Sequence, residues 1–93
     1  MNKPKTIIDA ENDHEERHNL KEHFSDQGFI VLEASLGRRL LEIVKQHSVD
    51  LILLNYRLPD AVAIDFVKII RDHTNVPVLI TGGHAEMGHG SPA

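Results

Sequence analysis

Apolar and polar positions fall in blocks along this chain, and each block has the period of one element. Lys5-Thr-Ile-Ile-Asp-Ala10 is a short β-branched run that predicts a strand. Asn12 or Asp13 then offers a side-chain oxygen for a helix N-cap. From His14 to Gln27, Leu20 and Phe24 stand four apart among Glu and Lys, which predicts a helix that Gly28 ends. Phe29-Ile-Val-Leu-Glu33 reads as a second strand. Ser35 is expected to cap a second helix, with Leu36, Leu40, Ile43, Val44 and His47 along its inner face. Gly37 weakens the first turn of that helix by about 1 kcal/mol relative to Ala. Asp50-Leu-Ile-Leu-Leu-Asn55 is apolar without alternation, as in a strand covered on both faces. Arg57-Leu-Pro-Asp60 is expected to be a loop. Ile64, Val67 and either Ile70 or Arg71 mark a third helix, ending near His73. Val76-Pro-Val-Leu-Ile-Thr81 is the fourth strand, broken by Gly82-Gly83. The alternation predicts a parallel α/β sheet of about four strands and three helices, with right-handed crossovers.

Composition narrows the function classes. The 93 residues suit one domain, expected over 1–83 with a flexible, Gly-rich tail over 84–93. Ten Lys and Arg stand against 14 Asp and Glu, a net charge of −4 that argues against a phosphate-backbone binder. With no Cys, disulfides, thiolate zinc sites and Cys nucleophiles are excluded. No apolar run approaches a membrane span and no signal segment opens the chain, so the expected location is cytoplasmic.

Asp50-Leu-Ile-Leu-Leu-Asn-Tyr-Arg-Leu-Pro-Asp60 resembles the third strand and following loop of the response-regulator receiver domain. The winged-helix class of bacterial two-component regulators is the most similar. Gly28-Phe-Ile-Val-Leu-Glu-Ala34 and Val76-Pro-Val-Leu-Ile80 resemble its second and fourth strands, so the likeness runs over residues 5–83. It implies a flavodoxin-like sheet of strand order 2-1-3-4-5. It also implies phosphoryl transfer from a histidine kinase to an Asp. That chemistry needs a carboxylate nucleophile, an acidic pair for Mg²⁺, and a Ser or Thr and a Lys on the phosphoryl oxygens.

This chain departs from the pattern at each of those positions. The phosphoacceptor position is Asn55, and an amide is a poor nucleophile. A gapless match sets Glu11-Asn12, followed by Asp13, on the acidic pair, and a rival register sets Asp9-Ala10 there. The hydroxyl position falls on Thr81 or Gly82, and the glycine after the Leu-Pro-Asp loop corresponds to Ala63. No fifth strand supplies the Lys. Together these changes point away from phosphoryl transfer and from enzyme activity, with no cofactor expected.

In the strand order that the resemblance implies, the fourth strand is an edge, and the face beneath the family's fifth helix is open. Apolar surface on the first and third strands is therefore expected to be exposed, and a homodimer or a protein partner to cover it. Seven His include His14 and His18, one turn apart, a spacing that suits Zn²⁺ or Ni²⁺ but fits solvated surface residues better. His84, Met87 and His89 fall in the tail. Glu11, Asp13 and Asp60, beside Arg57, are the remaining candidates for weak Mg²⁺ binding; no metal site is assigned. Asp9 stands where the family is apolar, which reads as a frayed strand or as a partner for a cation across an interface. Glu16 and Asn19 likewise thin the apolar stripe of the first helix, and Arg38-Arg39 reads as a solvated pair. The function expected is that of a phosphorylation-independent pseudo-receiver acting through protein–protein contact. Its partner would be a sensor kinase, another regulator or itself, and direct nucleic-acid binding and membrane association are not expected. His14, Arg17, His18 and Lys21 on the first helix are the expected docking residues. The alternative is a degenerate receiver that still accepts a phosphoryl group, with Mg²⁺, at a nearby acid such as Asp13 or Asp60.

Overall fold

The computed structural model describes residues 3–82. In chain order the elements are β1 (Thr6–Ala10), α1 (His14–Asp26), β2 (Ile30–Ala34), α2 (Gly37–Gln46), β3 (Leu51–Asn55), β4 (Arg57–Leu58), β5 (Ala61–Val62), α3 (Ala63–Arg71) and β6 (Val78–Thr81). Four of the strands form one parallel sheet in the order β2-β1-β3-β6. Because the pairing is parallel, the C-terminal ends of β1, β3 and β6 come together at one edge: Ala10 lies beside Leu54, and Asn55 beside Thr81.

Side chains alternate across the sheet. Ile8 and Ala10 of β1 and Ile52 and Leu54 of β3 face α2 and α3, where they meet Leu40, Ile43, Phe66 and Ile70 in one core. Ile7, Asp9 and Leu53 point to the other face, where Phe24 and Phe29 pack edge-on beside the end of α1. The apolar faces expected on β1 and β3 are thus not open: Ile7, Ile8, Ile52, Leu53 and Leu54 are all buried. Exposure falls instead on Leu79 and Ile80 of β6 and on Ile64 and Ile69 of α3. The expected tail over 84–93, with its two His and Met87, lies outside the described residues.

Three local expectations are corrected. Arg57–Asp60 is not a plain loop, because Arg57 pairs with Val62 and Leu58 with Ala61 in a small antiparallel ribbon. That ribbon delivers the chain into α3 at Ala63, whose N–H donates to the Tyr56 carbonyl at 2.9 Å. The start at Ala63 sets the phase of the helix, so Ala63, Phe66 and Ile70 are buried while Ile64 is 73% exposed. Of the predicted face, Ile70 is buried and Val67 packs against the core, while Ile64 turns outward and Ala63 and Phe66 take the inner positions.

The third correction concerns α2. Ser35 does not cap it: the N-cap is Leu36, which offers no side-chain acceptor. The Asp60 carboxylate does the capping from the β4–β5 turn, accepting from the N–H of Gly37 at 2.7 Å and of Arg38 at 3.1 Å. Gly37 is required by this closeness. A Cβ there would lie 3.0 Å from the Phe66 ring, 3.1 Å from Ala61 and 3.3 Å from Asp60. His47 is exposed rather than part of the inner face. At α1 the cap is Asp13, one of the two residues expected, with its Oδ1 accepting from the Glu16 N–H at 3.0 Å. No residue of α1 is fully buried, in keeping with its thin apolar stripe.

Burial pushes the Asp60 carboxyl up, but the N–H groups of Gly37 and Arg38 and the Arg38 charge outweigh it and hold it below its usual range. A depressed folded-state pKa stabilises at pH above the carboxyl's unfolded value, and the contribution fades as pH falls through about 4 and below. Asp60→Ala is therefore expected to cost about 1 kcal/mol at pH 7, as for other lost helix caps, and progressively less below about pH 4. Urea unfolding at the two pH values checks this.

Candidate functional site

The site stands at the C-terminal ends of β1, β3 and β6, where parallel pairing gathers loop residues from three strands. Asn55 ends β3, held by two contacts on its amide. Its Oδ1 accepts from the Arg57 N–H at 3.1 Å, which leaves Nδ2 as a donor, and Nδ2 bonds Glu11 Oε1. Glu11 is buried, and its second oxygen accepts from the Asp13 N–H at 2.9 Å. Its backbone N–H donates to the Ala34 carbonyl at 2.9 Å, extending the β1–β2 ladder by one rung.

Both candidates for the hydroxyl position, Thr81 and Gly82, stand next to Asn55. Thr81 is its register partner on β6, and the Thr81 carbonyl accepts from the Tyr56 N–H at 2.7 Å. Gly82 follows with φ +75°, and a Cβ there would lie 2.8 Å from Asn55 Nδ2. Thr81 is therefore the strand-end residue beside Asn55. Gly82 is the close packing point that lets the chain leave the sheet over the Asn55 amide.

Chemically, the pocket is satisfied from within. An Asp at position 55 would set a second carboxylate against Glu11 and require a cation between them. The amide supplies a proton donor instead, and the Glu11 charge is met by Asn55 and the Asp13 N–H. Asn12 turns away, its Nδ2 3.4 Å from the Ser35 carbonyl. Among the described residues no group of three His, Asp or Glu is arranged to hold a metal ion.

Arg17 ties this loop to α1. Its Nη1 donates to the Glu11 carbonyl at 2.8 Å and to the Asn12 carbonyl at 3.3 Å, and its Nε lies 3.3 Å from Glu33 Oε2. The Arg17 side chain is only 16% exposed, so this residue works as an internal clamp on the site loop. The other docking candidates do share one groove with it, between α1 and β2, bordered by Glu33. Lys21 Nζ reaches Glu33 Oε1 at 3.4 Å, and His18 lies 3.3 Å from Glu22. The rings of His14 and His18 stack with centroids 6.3 Å apart. His14 Nδ1 is 3.3 Å from Arg17 Nη2 and, facing a guanidinium that only donates, acts as acceptor.

Sequence reasoning missed Glu33 as the hub of these cations and Asp60 as the cap of α2. Both act across 12 or more residues, and only the register of β1 with β2 and the β4–β5 ribbon bring them in. The rival register with Asp9 in the acidic pair does not hold, because Asp9 lies within β1, paired with Glu33 and Leu53. Nor is β1 frayed there: Asp9 is buried. Burial, together with the charges of Glu11 and Glu33, pushes its carboxyl up to about 7, against the lowering effect of Arg17.

Known proteins share this architecture. Residues 7–91 match the family described as response regulator receiver domain. The chain is 36% identical over 71 residues to the Uncharacterized transcriptional regulatory protein YcbL of Bacillus subtilis, covering 76% of this chain and 31% of that protein. It is 29% identical over 83 residues to the TorCAD operon transcriptional regulatory protein TorR of Escherichia coli K12, covering 89% of this chain and 36% of that one. The chain thus spans about a third of the length of these curated relatives. Among solved structures, the receiver domain of TorR superposes with a TM-score of 0.80 at 29% identity, over 89% of this chain and 69% of that one. The chemotaxis response regulator CheY4 of Vibrio cholerae also gives 0.80, at 21% identity, over 94% of this chain and 77% of that one, and shows the fold alone.

A raised Asp9 pKa works against folding as pH rises. The folded chain holds this proton to about pH 7, whereas the unfolded chain releases it near pH 3.9. The Asp9 term therefore lowers stability between about pH 4 and 7 and is flat above. Asp9→Asn is expected to remove this part of the pH dependence and to gain on the order of 1–3 kcal/mol at pH 8, read by urea unfolding at pH 5 and 8.

Proposed function

Because this chain belongs to the response-regulator receiver family, and so to signal transduction, we propose that it serves there as a phosphorylation-independent pseudo-receiver that works by binding other proteins. One observation carries the reading: the amide at position 55 donates to Glu11, where phosphoryl transfer would need a carboxylate nucleophile and a cation. The pocket then keeps one geometry with neither phosphoryl group nor metal. On this reading the protein is not an enzyme, needs no cofactor and acts in the cytoplasm. No described helix is long and apolar enough to cross a membrane.

The partners proposed are a sensor kinase or another regulator, met through the groove of His14, His18 and Lys21, and a second copy of the chain. Arg17 contributes to that surface by holding its underlying loop. For self-association the surface proposed is β6, an uncharged strand at one edge of the sheet in which Leu79 is 56% and Ile80 46% exposed. Direct contact with nucleic acid is not proposed, in line with the −4 net charge. The alternative, phosphoryl acceptance at Asp13 or Asp60, has little support. Asp13 caps α1, and both Asp60 oxygens are engaged by N–H groups of α2.

Two measurements test these readings. Incubation with a small phosphodonor and Mg²⁺ is expected to leave the intact mass unchanged; a gain of one phosphoryl group on the chain would overturn phosphorylation independence. Light scattering across a concentration series is expected to show a dimer that Leu79→Lys converts to monomer. A monomeric parent chain would overturn the self-association reading alone.

A further inference from the structure

Within β1 sits a carboxylate that nothing holds. Asp9 is 1% exposed, and its two oxygens are the buried side-chain polar atoms without a hydrogen-bond partner among the described residues. Such a group is costly to keep, and a position of this kind needs a physical account. Parallel pairing sets Asp9 directly beside Glu33 of β2, on the same face and about 4.8 Å away strand to strand. On its other side lies Leu53 of β3, which is apolar. The charges that act on Asp9 are Glu11 from its own strand's end, Glu33 from β2 and Arg17 from α1.

Arg17 is the cation of this cluster, and its link to Glu33 is loose. Its Nε lies 3.3 Å from Glu33, a long contact, while Glu33 also serves Lys21 at 3.4 Å. Meanwhile Arg17 Nη1 is anchored on the carbonyl of Glu11, two residues along β1 from Asp9. The guanidinium is therefore held between the loop that follows β1 and the half-exposed Glu33 of β2, the register neighbour of the buried Asp9, on which its charge acts. A side chain as enclosed as Arg17 cannot lose its carboxylate without cost, since a buried guanidinium stays charged.

We propose that Asp9 is a second berth for the Arg17 guanidinium, taken when Glu33 is drawn to another cation. As the guanidinium arrives, Asp9 releases its proton to water, so the ion pair is rebuilt one strand further in. Glu33 is then left to Lys21 and to any basic side chain that enters the groove between α1 and β2. The arrangement makes the outer carboxylate of the groove available without stranding Arg17. It is independent of the chemistry at Asn55 and holds whether or not the groove is the docking face.

A double-mutant cycle on the full chain at pH 6, where Asp9 still holds its proton, tests it. Glu33→Gln is introduced into the parent and into Asp9→Val, with Asp9→Asn in its place where the Val variant fails to fold. The loss in urea midpoint caused by Glu33→Gln is expected to be at least about twofold larger when Asp9 is replaced, because Arg17 then has no second carboxylate. In the Glu33→Gln single variant the Arg17 Nε–H signal is expected to stay slow to exchange with water, and to become solvent-averaged in the double variant. Equal losses in both backgrounds, or collapse of the Arg17 signal in the single variant, would overturn the proposal.

Discussion

An amide proton on Asn55 holds the Glu11 carboxylate, and the strand ends are organised around that bond. Glu11 takes its second bond from the N–H of Asp13, which in turn caps α1. Asn55 is kept in the donating orientation by the Arg57 N–H on its other atom, and Gly82 can cross it only because it has no Cβ. A receiver that used this position for chemistry would have to keep it open to a cation and a phosphoryl group. Here the same constraint, a buried carboxylate that must be satisfied, is met by a neutral donor from the neighbouring strand.

Around that bond lies a second layer, in which Arg17 joins the site loop to α1 and β2. Its contacts run to two carbonyls of the loop and to Glu33, so this side chain ties α1 to the sheet beside its apolar stripe. The thin stripe, with Leu20 and Phe24 only partly buried, makes sense in that light. Asp60 performs the matching task for α2 from the opposite side of the site. Both helices that flank the strand ends therefore carry a polar tie to the site loops, and the apolar core that α2 shares with β1, β3 and α3 lies on its face of the sheet alone.

Much of this could be read along the chain. Element order, the parallel sheet, the Asp13 cap and the placement of Asn55 followed from local runs and spacing, since a five-residue apolar block or an N-cap is a property of neighbours in sequence. The site was legible at Asn12 and Asn55, whose amides stand where the family's chemistry needs carboxylates. Other features were not legible. Ser35 looked like a cap because sequence offers only local acceptors, whereas Asp60 reaches Gly37 across 23 residues. Ile64 was misplaced on the inner face of α3 because the start of that face depends on where the β4–β5 ribbon releases the chain.

The sequence by itself determined which atoms are available: an amide at 55, one carboxylate at Glu11, a threonine and then a glycine at the end of the fourth long strand, and an acid inside the first. These are covalent facts, and they already exclude a carboxylate nucleophile at position 55. Only the tertiary structure decided how those atoms meet. Register paired Thr81 with Asn55 and brought Gly82 against its amide, and it placed Asp9 beside Glu33, which Arg17 reaches from α1. The physical reason is that hydrogen bonding and desolvation act over a few ångströms of space, whatever the distance along the chain.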